Sequence, residues 1–305
     1  GKWMNMLIHT VKKALKYFTW PSKFTKLIYE EFTGLDTRLT NVENGSGSSG
    51  GGFPGVIVAG SNAPHRIKDV ADYVCETPSN NQVEITQAIT ENENGDIIPV
   101  LLIGKFIVND VINAVGPYYL KSYTAKRDMG FFENGIFAST DFQGEYIING
   151  GEGAILDGIN LNTLDLTYLL QIMGGMTPEE QLNFLQGLII PNAAHLSNGA
   201  EMYNCFSNGS IEAYNTRIEG CEVTGTLHYL SMTQSPALIC KSGNGLFRCN
   251  RFTGQMGPSL EVHESCLNSI FHDNIFLSEA DPEYVIDPAA TGNIFKGNIG
   301  IPDSP

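Results

Sequence analysis

Three segments in the last third of the chain share one pattern: LFRCNRF at 246–252, IFHDNIF at 270–276 and IFKGNIG at 294–300. The starting positions 246, 270 and 294 give a constant period of 24 (270 − 246 and 294 − 270). Each copy has an aliphatic residue, Phe, two variable residues, Asn, one variable residue and then an apolar residue or Gly. A short, fixed period is typical of a solenoid, in which each repeat forms one turn and stacks on its neighbour.

The composition of the repeat indicates which solenoid it forms. The apolar segments are short, no regular helix recurs, and the leucine-rich pattern LxxLxLxxN is absent. These features predict a mainly β fold, a right-handed parallel β-helix with coils of about 24 residues. A weaker copy, IEGCEVTG at 218–225, aligns with 247–254 at an offset of 29 and has Cys221 where the others have Asn. The competing interpretation is a β-sandwich with regularly spaced turns.

A parallel β-helix places equivalent residues in columns. Equivalent Phe side chains should stack in the interior, because successive coils lie about 4.8 Å apart. Equivalent Asn side chains should occupy tight turns, where Asn tolerates the left-handed conformation and can hydrogen-bond to a neighbouring backbone. The first column consists of Phe247, Phe271 and Phe295, and the second of Asn250, Asn274 and Asn298.

The composition of the 305-residue chain narrows the classes of function. Apolar residues make up 42%, enough for a sizeable core, and 33 Gly and 14 Pro argue against a helical bundle. The net charge of −15 argues against nucleic-acid binding, which needs Lys and Arg to neutralise phosphates. We expect no membrane span, because no apolar run reaches the roughly 18 residues that a spanning helix needs. We also expect no signal peptide, because the first residues contain no smooth apolar block that leads to a small-residue cleavage site. The six Cys form no CxxC pair, so we expect reduced, buried thiols, no metal site and no cofactor.

Residues 1–44 differ from the rest of the chain in charge and periodicity. Residues 1–26 hold six Lys and no Asp or Glu, which leaves 12 basic (18 − 6) against 33 acidic residues in the remainder. Two apolar runs with alternating spacings of four and three predict helices with a heptad seam. The runs are Met4, Ile8, Val11, Leu15 and Phe18, and then Ile28, Phe32, Leu35, Leu39 and Val42.

This pattern predicts a basic helical or coiled-coil anchor. The second run is expected to hold three chains together, because a short helix with an exposed apolar seam is unstable alone in water. Two amphipathic helices that fold against the body are one alternative. A membrane-surface helix formed by the basic segment 2–18 is another.

Four regions are expected along the chain. The anchor at 1–44 is followed by a Gly/Ser-rich linker at 45–54, whose composition is compatible with a native or an engineered segment. Residues 55–96 are assigned to the N-terminal cap region of the β-helix, and residues 97–305 to its body.

Two helices and a pair of strands are predicted within the cap and body. Residues 83–90 place Val83, Ile85, Ala88 and Ile89 at helical spacing. The sequence TPEE at 177–180 gives an N-cap, a Pro at the first helical position and a Glu at the third, so a helix should start there and stop near Gly187. Two strands are expected on either side of Gly104.

The cap region resembles a known family. ADYVC at 71–75, QVEITQAI at 82–89 and VLLIGKFI at 100–107 are similar to the opening of pectin-lyase-like β-helix proteins of bacteriophage tails and Gram-positive bacteria. Those often carry ADYVCDG, an acidic pair, VEIQxAI and a strand such as VxLxxGxFxI. This chain departs at 76–82 (ETPSNNQ), where Asn80 and Asn81 replace the acidic pair. The resemblance implies that the helix covers the N-terminal end of the β-helix, which would otherwise be an open edge.

The resemblance also implies a tail spike or tail appendage of a bacteriophage, typically a homotrimer. We therefore expect a protein of the virion tail, assembled in the host cytoplasm, that binds a host cell-surface polysaccharide. Residues 1–44 would contact other tail proteins. One alternative is a polysaccharide depolymerase, a lyase or glycoside hydrolase, on the same fold. Another is a purely structural tail component.

Candidate glycan-binding residues come from one loop and one repeat. The loop TLHYLSMTQSP at 226–236 carries His228 and Tyr229, since loops on rigid scaffolds often hold recognition residues; the alternative is that Tyr229 packs against the coil. Arg248 and Arg251 lie in one repeat and would suit an anionic sugar.

No residue is assigned a catalytic role from the sequence. Hydrolysis of a glycan needs two carboxylates about 5–10 Å apart, and most acidic residues of such a chain are expected to be solvated surface. The candidate carboxylates are Asp141, Glu145, Asp157, Glu201, Glu212, Glu219, Glu222, Glu261 and Glu264.

Overall fold

The computed structural model describes residues 55–77, 79–91, 97–114, 116–122, 134–163, 172–188, 190–228, 233–254 and 256–303. The predicted anchor at 1–44, with its seam at 28–42, and the linker at 45–54 lie outside these residues. The described part is mainly β, as predicted. Its helices are α1 (His65–Lys68), α2 (Gln82–Thr90) and α3 (Pro178–Gly187).

Three parallel sheets form the described body, and the chain visits them in turn. Sheet 1 contains, in spatial order, β2 (Tyr73–Val74), β1 (Val56–Ala59), β3 (Pro99–Ile103), β6 (Tyr119–Lys121), β9 (Ile155–Asp157), β12 (Glu201–Tyr203), β15 (Arg217–Glu219), β20 (Leu246–Arg248), β23 (Ile270–His272) and β26 (Ile294–Lys296). Sheet 2 contains β4 (Lys105–Val108), β7 (Gly135–Ala138), β10 (Asn160–Asn162), β13 (Phe206–Ser207), β16 (Glu222–Thr224), β21 (Arg251–Gly254) and β24 (Ile275–Ser278). Sheet 3 contains β5 (Ile112–Ala114), β8 (Tyr146–Gly150), β11 (Asn192–Leu196), β14 (Ile211–Tyr214), β19 (Leu238–Ser242), β22 (Leu260–Val262) and β25 (Tyr284–Ile286). This is the topology of a parallel β-helix. An antiparallel hairpin of β17 (Leu227–His228) and β18 (Thr233–Gln234) stands apart from the sheets.

The predicted Phe column is present in the core. Phe247 pairs in register with Phe271, and Phe271 with Phe295. Their ring centroids lie 4.7 and 4.6 Å apart, and the second pair of rings is nearly parallel at 2°. Phe252 and Phe276 form a second stack at 5.3 Å in sheet 2. The Phe residues of the repeat therefore form a column in the interior of the β-helix, as the period of 24 predicts.

The Asn column is also present, and one of the two predicted reasons for it is confirmed: the Asn side chains hydrogen-bond to neighbouring backbone, but they do not adopt the left-handed conformation themselves. Asn250 and Asn274 are buried, and the left-handed residue is the one before each of them: Cys249 has φ 55° and Asp273 φ 54°. The Asn274 side chain accepts a hydrogen bond from the Asn250 backbone N at 3.0 Å and donates one to the Phe247 carbonyl at 2.9 Å. Each Asn thus satisfies the backbone of the coil before it, where a turn would leave polar groups unpaired.

The weak copy belongs to the same column. Cys221 N donates to Asn250 Oδ1 at 2.9 Å, and Cys205 N donates to Cys221 Sγ at 3.4 Å. Cys therefore replaces Asn one and two coils earlier, and a sulfur replaces the amide oxygen as acceptor.

The coil length is constant only near the C-terminus. Paired positions in sheet 1 are separated by 46 between Leu156 and Met202 (202 − 156), by 16 between Met202 and Ile218 (218 − 202) and by 29 between Ile218 and Phe247 (247 − 218). The first of these coils contains α3, and the third contains the hairpin. The predicted coil length therefore describes the last three coils and not the earlier ones.

Helix α2 lies at the N-terminal end of sheets 2 and 3, where the resemblance places a cap. It contacts the terminal strands β4 and β5, and Ile85, Ala88 and Ile89 are buried. Val83, which was predicted on the same face, is 50% exposed. The departure from the family pattern has a structural role: Asn81 N donates to Ile107 O at 3.1 Å, and Asn81 Oδ1 accepts from Ile107 N at 2.8 Å. Asn81 therefore hydrogen-bonds with both backbone groups of Ile107 in β4, the strand at the end of sheet 2.

Helix α3 starts with the predicted cap. Thr177 Oγ1 accepts a hydrogen bond from Glu180 N at 3.3 Å, and the Glu180 carboxylate accepts one from Thr177 N at 2.8 Å. The hydrogen bonds that the Glu180 carboxylate accepts from the Thr177 backbone N and then from its hydroxyl hold the pKa of Glu180 below its ordinary value. The helix runs to Gly187, as predicted, and buries none of its residues, so it is a surface excursion of the long coil.

The prediction of six reduced, buried thiols is wrong for three of the Cys residues. Cys240 and Cys266 form a disulfide with their Cα atoms 6.0 Å apart. They lie in adjacent coils, at a sequence separation of 26, so stacking brings them within the distance that a disulfide spans. Cys249 is free but exposed, whereas Cys75, Cys205 and Cys221 are free and buried as expected.

Candidate functional site

Four polar or aromatic side chains meet on the outer face of sheet 3. They are Tyr146 from β8, His195 from β11, and Glu212 and Tyr214 from β14, and we call them the tyrosine–histidine cluster. The alternation of the strands places them outside: Ala194, Leu196, Ile211 and Ala213 are fully buried, and their neighbours in sequence face outwards. His195 lies directly opposite Glu212 in the register of β11 and β14.

The rings of the cluster form a continuous aromatic surface. The His195 ring centroid lies 5.2 Å from that of Tyr146 and 4.7 Å from that of Tyr214. Glu212 Oε2 accepts a hydrogen bond from the Tyr214 hydroxyl at 3.4 Å and lies 3.9 Å from His195 Nδ1. The Glu212 side chain is only 12% exposed, so this carboxylate is largely removed from water.

A second carboxylate approaches the same rings. The Tyr146 hydroxyl donates a hydrogen bond to Glu145 Oε1 at 3.3 Å. Burial, and then Glu212 and Glu145, raise the pKa of Tyr146 far above its ordinary value. Burial and Glu212 also raise the pKa of Tyr214. Both phenols therefore stay neutral hydrogen-bond donors, and neither is suited to act as a general base.

A groove lies beside the cluster at the turn that leads from sheet 3 to sheet 1. Its volume is about 470 Å³, within the usual range for ligand sites. His195 and Tyr214 form one side of it. The remaining lining residues are Ser197, Asn198, Asn215, Ser242, Gly243 and Asn244. Hydroxyl and amide groups opposite an aromatic wall are the chemistry that binds sugar hydroxyls and sugar ring faces.

The two predicted arginines lie on different sheets. Arg251 of β21 lines a separate groove of about 420 Å³ at the corner between sheets 1 and 2, together with Asn204, Glu222 and Asp273. Its Nε lies 3.8 Å from Glu222 Oε1. Arg248 is exposed on the outer face of sheet 1, in β20, and does not line that groove. The structure does not bring these two residues together into one site.

The two candidate glycan-binding residues of the predicted loop, His228 and Tyr229, fall in or next to the hairpin of β17 and β18. The backbone of His228 pairs with Thr233 in the hairpin. The side chain of His228, and Tyr229 altogether, lie outside the described part of the chain. Their assignment as glycan-binding residues stays a prediction.

Several of the candidate carboxylates have a basic side chain within ion-pair distance. Lys121 lies 3.7 Å from Asp157, Arg217 lies 3.0 Å from Glu219, and His263 lies 2.7 Å from Glu261. In contrast, within the described residues neither Glu145 nor Glu212 is within ion-pair distance of a Lys or Arg. Glu145 and Glu212 are also the candidates that contact the aromatic rings of the cluster.

Sequence reasoning did not single out His195 or the two tyrosines. The only local signal is the alternation in NAAHL at 192–196, where a His stands between two small or apolar inward residues.

No group of three or more potential metal ligands occurs among the described residues. None of the described helices is long and apolar enough to span a membrane.

Comparisons with known proteins give one structural similarity. No protein-family model matches the chain, and no curated protein matches its sequence. The chain is similar to the structure of pectin methylesterase PemA from Erwinia chrysanthemi, with a TM-score of 0.49 and 12% sequence identity over 79% of this chain and 78% of that one.

Proposed function

We propose that this protein binds a polysaccharide on the outer face of its parallel β-helix, at the tyrosine–histidine cluster. The observation that carries the proposal is the aromatic surface of Tyr146, His195 and Tyr214 around a largely covered carboxylate. Aromatic faces stack on the apolar faces of sugar rings, and a carboxylate accepts hydrogen bonds from sugar hydroxyls. A rigid sheet holds these groups in place without a further cost in ordering them.

The finer form of the proposal is a tail-spike or tail-appendage protein of a virion that attaches to a host cell-surface polysaccharide. It is supported by the resemblance of residues 71–107 and by the basic arm in residues 1–26. In this proposal residues 28–42 associate three chains, and residues 1–44 contact other tail proteins. Substitution of Leu35 and Leu39 by Asp should then give monomers in sedimentation with an unchanged β-sheet circular dichroism spectrum. A variant that stays trimeric would place the association in the β-helix itself.

The experiment that tests polysaccharide binding compares two tyrosines on different sheets. Tyr214→Ala should weaken binding to the polysaccharide selected on a glycan array by about tenfold, because an aromatic contact is worth about 1 kcal/mol or more. Tyr203→Ala is the matched control, since Tyr203 also hydrogen-bonds a glutamate, Glu201, but on the outer face of sheet 1. It should leave the affinity unchanged.

The opposite pattern, a loss with Tyr203→Ala and none with Tyr214→Ala, would move the site to sheet 1. Absence of binding to any polysaccharide on the array, together with co-purification in a tail complex, would favour the purely structural alternative.

A further inference from the structure

Within the part of the chain that the structure describes, no Lys or Arg lies within ion-pair distance of the carboxylates at the tyrosine–histidine cluster. The Tyr146 hydroxyl donates a hydrogen bond to Glu145 Oε1 at 3.3 Å, and, after burial, Glu212 and Glu145 both contribute to raising the pKa of Tyr146. The cation nearest to Glu212 among the described residues is the His195 imidazole, at 3.9 Å, which is charged only when protonated. A carboxylate that is largely removed from water and incompletely paired gains from a cation that a ligand supplies.

The aromatic rings favour the same kind of ligand. Tyr146 and Tyr214 flank the carboxylate, and a cation above the face of such a ring is attracted by its quadrupole. The same two phenols are held neutral by burial and by the glutamates, so they add no positive charge. A largely buried carboxylate beside aromatic faces, with the exposed Glu145 carboxylate next to it, can bind an ammonium group.

The corner groove differs from the groove beside the cluster in that it holds an arginine next to its carboxylates, Glu222 and Asp273. Arg251 lines the corner groove between sheets 1 and 2, whereas none of the residues that line the groove beside the cluster is Lys or Arg. A uronate bound next to Glu145 and Glu212 would face two like charges without a cation to offset them. The site beside the cluster is therefore unsuited to an acidic sugar.

We propose that the tyrosine–histidine cluster, together with Glu145, recognises the ammonium group of an amino sugar within the polysaccharide. This inference rests on the proposed function and names the class of sugar that the site selects. Glu212 and Glu145 would pair with the ammonium group, Tyr146 and Tyr214 would present their faces to it, and the groove beside them would hold the adjacent sugar.

The test compares three oligosaccharides of equal length: hexaglucosamine, its fully N-acetylated form, and hexagalacturonate. Binding is measured by calorimetry in a buffer in which the sugar amines carry a proton. Hexaglucosamine should bind about tenfold or more tightly than the acetylated hexamer, because acetylation removes the charge. The difference should shrink at high salt, since part of it is an attraction between charges. Hexagalacturonate should be the weakest of the three.

Two isosteric variants assign the effect to the cluster. Glu212→Gln removes one charge with little change in shape and should lower the affinity for hexaglucosamine about tenfold, while the acetylated hexamer is unaffected. Glu222→Gln, in the corner groove beside Arg251, is the matched control and should change neither affinity. Circular dichroism spectra of both variants should match that of the unmodified protein.

The results of these experiments show whether the ammonium assignment fails alone or together with polysaccharide binding. Equal binding of the acetylated and free-amine hexamers, unchanged by Glu212→Gln, would overturn the ammonium assignment and leave polysaccharide binding in place. Tightest binding of hexagalacturonate would overturn it as well and would direct attention to Arg248 and Arg251. Failure of all three hexamers in a protein that binds another polysaccharide on the array would also exclude an amino-sugar site. If the protein binds no polysaccharide at all, the proposed function fails together with the inference.

Discussion

The last three coils and the middle coils of the β-helix are built on different principles. In the last three coils, Phe and Asn recur at a fixed period and stack in buried columns. In the middle, the separation of paired positions in sheet 1 falls from 46 (202 − 156) to 16 (218 − 202) between consecutive coils. On the outer face of sheet 3 there, neighbouring strands place unlike residues opposite each other, as His195 lies opposite Glu212. The regular region therefore repeats its buried residues from coil to coil, whereas in the irregular region the outward-facing residues differ between neighbouring strands.

This difference separates stability from recognition. A column of identical side chains satisfies packing and backbone hydrogen bonds in every coil, so each substitution there is costly. Residues on the outer face have fewer neighbours and are free to differ from coil to coil. We therefore expect substitutions in the last coils to affect mainly the free energy of unfolding, and substitutions at the cluster to affect mainly binding.

The largest effect should come from the Phe column. Phe271→Ala removes a fully buried ring that stacks between Phe247 and Phe295. The cavity should lower the free energy of unfolding by roughly 3–5 kcal/mol in urea denaturation. Ile270→Ala is the matched control, because Ile270 is the preceding residue of the same strand and is 39% exposed. A cost near zero for Phe271→Ala would contradict the stacked column.

The disulfide joins two coils of the same region. Replacing both Cys240 and Cys266 by Ala should lower the free energy of unfolding by about 3 kcal/mol, because the bond limits the freedom of the unfolded chain. In denaturant without reductant, four of the six Cys should react with a thiol reagent, and all six after reduction. Six reactive thiols before reduction would show that the bond is absent from the protein.

A smaller loss is expected in the Asn column. Asn274 is fully buried, and its side chain accepts from Asn250 N and donates to the Phe247 carbonyl. Asn274→Ala leaves both backbone groups unpaired and should cost about 1–3 kcal/mol in the same denaturation experiment. Asn198→Ala, at an exposed position in a turn before sheet 1, serves as the control. An equal cost for the two variants would mean that the ladder adds no stability.

The smallest effect on stability should come from the cluster. Tyr214 is half-buried on the outer face, so Tyr214→Ala should change the free energy of unfolding by less than about 1 kcal/mol while it weakens polysaccharide binding. Measuring unfolding and binding on the same preparation checks both parts. A loss of stability as large as that of Phe271→Ala would contradict the expectation that residues of the cluster contribute mainly to binding.

The cap shows where a departure from a family pattern carries structural information. ETPSNNQ differs from the acidic pair that the resemblance leads one to expect, and the replacing Asn81 is buried and paired with both backbone groups of Ile107. The helix itself was predictable from its spacing. The partner of Asn81 was not, because Ile107 is distant in sequence and is brought close only by the coil.

The sequence by itself determined the repeating part of this protein. A fixed period of 24 specifies which residues share a column, and the Thr177 cap and the helix near Ile85 follow from local rules that act within a few residues. The tertiary structure alone decided the rest: that the Asn residues act through buried side chains, that Cys240 meets Cys266, and that Tyr146, His195 and Glu212 form one surface. The physical reason is that coils of unequal length carry no period, so the contacts between them depend on a strand register that only the folded chain establishes.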